Sequence, residues 1–313
     1  MRGALLINKT VGPTSAEVVD SLKPVLCDFL SVTKRDLPAL GHTGTLDPFA
    51  SGLLIVCVGA GTKLSRYLLN ETKTYRATAQ FGIGNASGDC SDPVTETGDF
   101  SRVTLEAASR LAIDFCAREY WQTPPMTSAK KVDGKKLYEL ARQGIEVDRK
   151  PVLCKITNFR ITRFELPLVE FEVTVSSGTF IRTLAQDFAK ELKSIAILNT
   201  LTRTQIGEFR LEQAVTVEQY SKILESSDRN IAEAKKHESW IGFDQILCGL
   251  PRVSINERES TWLRQGRQET AKLLAERGKL TLAEDVSLIA CFEGEQLVAT
   301  IRFENDWKIE RVF

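Results

Sequence analysis

The stretch that most constrains this chain is Gly41-His42-Thr43-Gly44-Thr45-Leu46-Asp47-Pro48-Phe49-Ala50-Ser51-Gly52, followed at once by Leu53-Leu54-Ile55-Val56-Cys57-Val58. Three glycines and a proline in twelve residues suit neither a helix nor a strand, while the six apolar residues behind them read as a buried strand. The spacing therefore predicts a tight loop feeding a core strand. Pro48 biases the residue before it away from the α region, so the main chain aims the Asp47 carboxylate. Loops carried on rigid elements are where chemistry is usually placed. Asp-Pro is also a common turn starter, so on chemistry alone Asp47 reads either as a structural turn residue or as a reactive carboxylate.

The rest of the chain narrows the classes of function. With 313 residues, 42% hydrophobic and 26% charged, it can bury one substantial core plus a smaller domain. It contains no run of 18 apolar residues, and its first nine residues hold too short an apolar run for a signal peptide, so no membrane span is expected and the cytoplasm is the expected compartment. Seven cysteines without a C-x-x-C pair, some inside apolar runs (Cys57, Cys291), predict reduced thiols rather than disulfides or a metal site. Only two histidines, His42 and His237, and no G-x-S-x-G elbow leave little room for a serine-hydrolase triad. Gly59-Ala60-Gly61-Thr62-Lys63 lacks phosphate-loop spacing, which excludes a nucleotide hydrolase. The net charge is zero, so nucleic acid would have to be held by a local patch. Between Ala129 and Lys155, eight basic residues face four acidic ones, which reads either as a solvated face or as such a patch.

Leu5-Leu6-Ile7 is predicted as a strand. Thr14 with Glu17 forms a capping box that starts a helix through Ala16, Val18, Val19 and Leu22. A short helix is expected around Leu64, Tyr67, Leu68 and Leu69, and an alternating strand over residues 73–82. Residues 104–115 read as an amphipathic helix with Leu105, Ala108, Leu111, Ala112 and Phe115 on one face. Residues 171–176 alternate as a strand that turns into a helix by Ala185. From about 212 to 240 the chain reads as helical and charged. A helix over 257–265 and strands over 286–292 and 297–303 follow, the last two joined by a Glu293-Gly294-Glu295 hairpin.

The Gly41–Gly52 loop resembles the signature loop of the TruB family of pseudouridine synthases, which isomerise uridine 55 in the TΨC loop of tRNA. The resemblance recurs in order along most of the first 210 residues. It implies that Asp47 is the catalytic residue and that Tyr75, in Lys73-Thr74-Tyr75, is the active-site tyrosine stacked on the flipped uracil. Arg182, in Ser177-Gly178-Thr179-Phe180-Ile181-Arg182, would pair with Asp47 through two parallel bonds that hold the carboxylate ionised and its pKa low. Phe180, where the family commonly has Tyr, and Leu201 would complete a dry pocket. His42 would help hold the flipped loop, beside its plainer reading as a loop hydrogen-bonder. Residues 124–155 resemble the family's tRNA-gripping insertion, with Lys130, Lys135, Lys136 and Arg142 on phosphates and a helix carrying the last three. The sequence departs from the family pattern at Thr10, Thr127, Thr202 and the 85–92 loop.

The resemblance implies an α+β pseudouridine-synthase fold, with a mixed, mainly antiparallel sheet flanked by helices over 1–245 and a small β-rich PUA-like RNA-binding domain over 246–313. It implies no cofactor and no metal, a tRNA T-arm stem-loop as partner, and a monomer. Two other readings stay open: a guide-RNA-dependent sibling enzyme, and a non-catalytic tRNA-binding or folding protein that would not keep the Asp47–Arg182 pair.

Overall fold

The computed structural model describes residues 1–313 apart from 129, 133 and 278–286, and apart from the side chains of 131, 132, 135, 136, 138 and 142. Strand β1 (Gly3–Lys9) is followed by helix α1 (Ser15–Leu30). Thr14 caps that helix: its hydroxyl accepts from the Glu17 amide while the Glu17 carboxylate accepts from the Thr14 amide, as the Thr-x-x-Glu spacing predicts. Strands β2 (Leu40–His42) and β3 (Ser51–Val58) bracket the glycine-rich loop, and β3 is buried on both faces, which is why its sequence is a continuous apolar run. A 3-10 turn leads into α2 (Ser65–Asn70) and then β4 (Lys73–Phe81), whose odd-numbered residues are buried.

Two-residue strands β5 (Ile83–Gly84) and β6 (Glu96–Thr97) close the next loop, and α3 (Leu105–Ala117) starts from Thr104. Leu105, expected on the buried face of α3, is 51% exposed. Helical side chains lean toward the N-terminus, and at the first position no turn lies beneath to receive one. Strand β7 (Tyr120–Gln122) leads into the insertion, where β8 (Lys131–Val132), β9 (Lys135–Lys136) and α4 (Leu137–Arg142) follow, and β10 (Val152–Cys154) leads out of it. Lys135 and Lys136, expected on a helix with Arg142, lie instead on a strand, because Gly134 at φ 81° turns β8 back on β9 before the helix begins.

Strands β11 (Ile156–Glu165) and β12 (Leu168–Val175), helix α5 (Ile181–Glu191), and strands β13 (Ala196–Ile206) and β14 (Phe209–Arg210) complete this half. The segment expected to be one charged helix is broken into α6 (Val217–Ser226) and α7 (Ile231–Ala234) by Asp228 and Arg229 at positive φ. It ends in β15 (Trp240–Ile241), which pairs with β1. After α8 (Phe243–Ile246) come β16 (Arg252–Ser254), α9 (Glu257–Arg264), α10 (Gln268–Arg277), β17 (Leu288–Glu293), β18 (Gln296–Phe303) and β19 (Trp307–Val312).

Among the described residues the fold is α+β. A nine-stranded sheet runs β11-β12-β4-β13-β3-β1-β15, with β14 on β13 and β2 on β3, and a separate four-stranded sheet runs β16-β17-β18-β19. In the large sheet every pairing is antiparallel except β13 with β3. That parallel joint is short, Thr202 beside Ser51 and Arg203 beside Gly52, and the Asp47 loop enters the sheet there. One core lies between β4, β11 and β12 and the helices α3 and α5, built around Phe115, Phe159, Phe171 and Phe188. A second is shared between the sheets, with Leu6, Leu53 and Ile55 packed in one cluster with Phe292, Leu297 and Phe313. A third sits under α1 and α6. All cysteines are free, and burial pushes the Cys57 and Cys291 thiols up to about 12, whereas Cys90 and Cys248 are exposed. No helix among the described residues is long and apolar enough to cross a membrane.

Candidate active site

The loop carrying Asp47 is pinned from three sides. From α1, the Ser15 hydroxyl accepts from the Leu46 amide at 2.8 Å. From the end of β1, the Lys9 ammonium donates to the carbonyls of Ala50 (2.7 Å), Thr10 (2.9 Å) and Pro48 (3.4 Å). From β13, the Arg203 guanidinium donates to the carbonyls of Leu53 (2.7 Å), Gly44 (3.1 Å) and Thr45 (3.5 Å). Both cations are 1% exposed, and burial pushes the Lys9 pKa down to about 8. Gly52 permits this arrangement: its φ is 106°, and a Cβ there would fall 2.3 Å from the Arg203 carbonyl oxygen.

Asp47 meets Arg182, the second residue of α5, with Arg182 Nε 3.0 Å from Asp47 Oδ2. The contact is single, not the two parallel bonds expected. The rest of the fork is taken: one terminal nitrogen lies 3.3 Å from Asp89 Oδ2 and donates to the Ser87 carbonyl and the Thr127 hydroxyl, both at 2.8 Å, and the other donates to the Thr127 carbonyl at 3.1 Å. The expected lowering of the Asp47 pKa is likewise overturned. Burial raises it, the Arg182 charge opposes this incompletely, and the Asp89 carboxylate adds to the rise.

Asp47 and Arg182 line a cleft of about 270 Å³ together with Tyr75, Phe180, Leu201 and Lys130. The alternation of β4 turns Tyr75 inward and leaves Arg76 outside. Leu201 stands on β13 directly opposite Ala77 of β4. Phe180 is the residue from which α5 starts, and Lys130 is exposed at the cleft. His42, half-buried on β2, does not line the cleft. Its Nδ1 finds no hydrogen-bond partner among the described residues, and burial with the Arg203 charge lowers its pKa. The side chains of Lys135, Lys136 and Arg142 lie outside the described residues. Among those described, no group of three His, Cys, Asp or Glu side chains could hold a metal ion.

Four residues that sequence reasoning did not single out complete the site: Lys9, Asp89, Thr127 as a partner of Arg182, and Arg203 as the anchor of the loop. The 85–92 loop departs from the family pattern, yet it folds on itself. The Asn85 amide donates to the carbonyls of Asp89 (2.8 Å) and Asp92 (2.9 Å) and accepts from the Gly88 amide (2.8 Å), which presents Asp89 to Arg182. Asn85 three residues before a Gly-Asp pair was the available signal.

Residues 33–181 match the family described as TruB family pseudouridylate synthase (N terminal domain). The chain is 44% identical over 218 residues, 69% of its own length and 85% of the relative's, to the tRNA pseudouridine synthase B of Bordetella avium. It is 39% identical over 265 residues, 85% of its length and 83% of the relative's, to the protein of that name from Thiobacillus denitrificans. The crystal structure of a Cbf5-Nop10-Gar1 complex shares the fold, with a TM-score of 0.72 at 23% identity over 99% of this chain and 84% of that one. With relatives this similar over most of both lengths, and a signature loop that folds around an aspartate facing a buried arginine, the chain belongs to the TruB family of pseudouridine synthases.

Proposed function

We propose that this chain is a tRNA pseudouridine synthase that isomerises uridine 55 in the T-arm stem-loop of tRNA, with Asp47 as its catalytic carboxylate. The observation that carries the reading is the Asp47–Arg182 contact at the edge of a cleft walled by Tyr75, Phe180 and Leu201. The target base lies inside the folded T-loop and must be extruded to reach such a site. Tyr75 offers a face for stacking, worth about 1–3 kcal/mol per base. The Asp47 side chain is 33% exposed and engages Arg182 through one oxygen, so the carboxylate can act on the ribose, either at the anomeric carbon or on the proton of the neighbouring carbon. Arg182 holds its direction. Uracil then leaves as its N1 bond to the ribose breaks, turns within the walls and rejoins through carbon 5; carbon 5 gives up its proton, the freed N1 takes one up, and Asp47 is regenerated as it releases the anomeric carbon or returns the ribose proton. Product and substrate contain the same atoms, so no cofactor is consumed.

Lys130 and the insertion, with residues 246–313 as a PUA-like RNA-binding unit, would grip the T-arm on a monomeric protein of the cytoplasm. The test is tritium release from carbon-5-labelled tRNA transcript by the chain alone. Release by the wild type, and none by Asp47→Asn with tRNA binding retained, is the expected result. Turnover by Asp47→Asn would overturn the role of Asp47, and a need for added guide RNA would favour the sibling enzyme.

A further inference from the structure

On β7 the side chains of Tyr120 and Gln122 turn inward, 5% and 1% exposed, while Trp121 between them is 57% exposed. A hydrogen-bond chain runs through the inward pair from Asp187 of α5 to Phe180, the residue that caps the start of that helix. The Tyr120 hydroxyl donates to Asp187 Oδ2 at 2.6 Å, and Gln122 Nε2 donates to the Tyr120 oxygen at 2.9 Å. The same Nε2 donates to the Phe180 carbonyl at 3.0 Å, and Gln122 Oε1 accepts from the Phe180 amide at 2.7 Å. A rotated amide would set donor against donor at Phe180, so the network admits one orientation.

Phe180 is the N-cap of α5 and has no side-chain oxygen to cap it. Gln122 grips its backbone in both directions, as a neighbouring strand would. Phe180 walls the cleft, and two residues on is Arg182, the partner of Asp47. At the other end, β7 pairs with β10 (Trp121 beside Leu153), and the insertion runs between these two strands.

We propose that Gln122 is a positioning residue for the isomerisation: its carboxamide fixes the Phe180 backbone, and with it the wall of the base cleft and the placement of Arg182 against Asp47, while tying both to the strand from which the insertion departs. This rests on the isomerase reading of the cleft. In Gln122→Glu the carboxylate can accept from the Phe180 amide, but when ionised it has no proton for the Phe180 carbonyl or the Tyr120 oxygen. A protonated glutamate regains one donor. The titratable and charged groups around the Tyr120–Gln122 pair are the Tyr120 hydroxyl, the Cys154 thiol of β10 with Lys130 near it, and Asp187 with Lys190, Glu191 and Arg118 around it. Burial raises the pKa of both Tyr120 and Cys154, which keeps them protonated at neutral pH.

The experiment compares single-turnover tritium release by wild type, Gln122→Glu and Gln122→Met from about pH 6 to about pH 8, a range that a buried carboxyl can titrate in. At the upper pH, Gln122→Glu is expected to be slower by about ten- to a hundredfold, the scale of a small misplacement of reacting groups. Its tRNA affinity should be unchanged, and its rate relative to wild type should recover as the pH falls. Gln122→Met should be slowed alike at every pH. A Gln122→Glu rate equal to wild type at the upper pH, or a ratio flat across the range, overturns the inference. Should Gln122→Met fail to fold, the pH comparison within folded Gln122→Glu, checked by its Tm, still decides. A wild type that releases no tritium would overturn the isomerase reading and this inference with it, whereas an active wild type with a flat ratio overturns only the latter.

Discussion

At Asp47, the proposed function and stability oppose each other. Burial lifts its folded pKa above the unfolded one, so over that interval the folded state holds a proton that the unfolded state has lost. The stability this contributes is fully present below the unfolded value and is lost as pH rises through the folded one. Asp47→Asn removes the buried charge while keeping an acceptor for Arg182, so its Tm at neutral pH should equal or exceed that of wild type although tritium release disappears. The same shift predicts that the rate of the wild type falls off on the acid side at a higher pH than an ordinary aspartate would give, read from a pH–rate profile. Arg203 is the converse case, a buried charge satisfied by three carbonyls. Arg203→Lys keeps the charge and loses the planar fork, stranding carbonyls of the Asp47 loop. It should cost about 1–3 kcal/mol in denaturant unfolding and slow turnover together.

Among the elements, the parallel joint between β3 and β13 sets the loop, since it brings Arg203 beside Gly52. In Gly52→Ala the new methyl would overlap the Arg203 backbone in a conformation that favours glycine. We expect a loss of about 1–3 kcal/mol from overpacking plus the backbone strain, visible as a lower Tm, with β13 and the Asp47 loop displaced together. The insertion behaves differently, because its proposed work is electrostatic. Neutralising Lys135, Lys136 and Arg142 together should weaken tRNA binding and flatten the plot of log affinity against log salt by about 0.7–0.9 for each phosphate left without its cation. An unchanged slope would remove the clamp.

For the whole molecule, the four-stranded sheet is fastened to the large one by apolar packing and by a polar knot. Tyr67 donates to Glu310 at 2.6 Å, Arg66 pairs with Glu310, and Lys63 donates to the Val312 carbonyl at 2.9 Å. Removing residues 250–313 would uncover the cluster around Leu6, Leu53 and Ile55, so the truncated chain should melt lower and aggregate as well as bind tRNA more weakly. A truncated chain as stable as the full one would show that this shared core contributes little. Short-range signals were legible in the residues themselves. The capping box at Thr14, the alternation of β4, the apolar run of β3 and the Asp47-Pro48 loop all depend on neighbours a few positions apart, and the family resemblance pointed to Asp47, Tyr75, Phe180, Arg182 and Leu201 together. What remained hidden was how charge is shared. Burial outweighs the Arg182 charge and turns the titration of Asp47 upward, with the Asp89 carboxylate on the same guanidinium adding to the rise, and Lys9 and Arg203 spend their hydrogen bonds on one loop. These outcomes follow from desolvation and from partners far apart along the chain, and neither exists until the strands have paired and closed over the cleft.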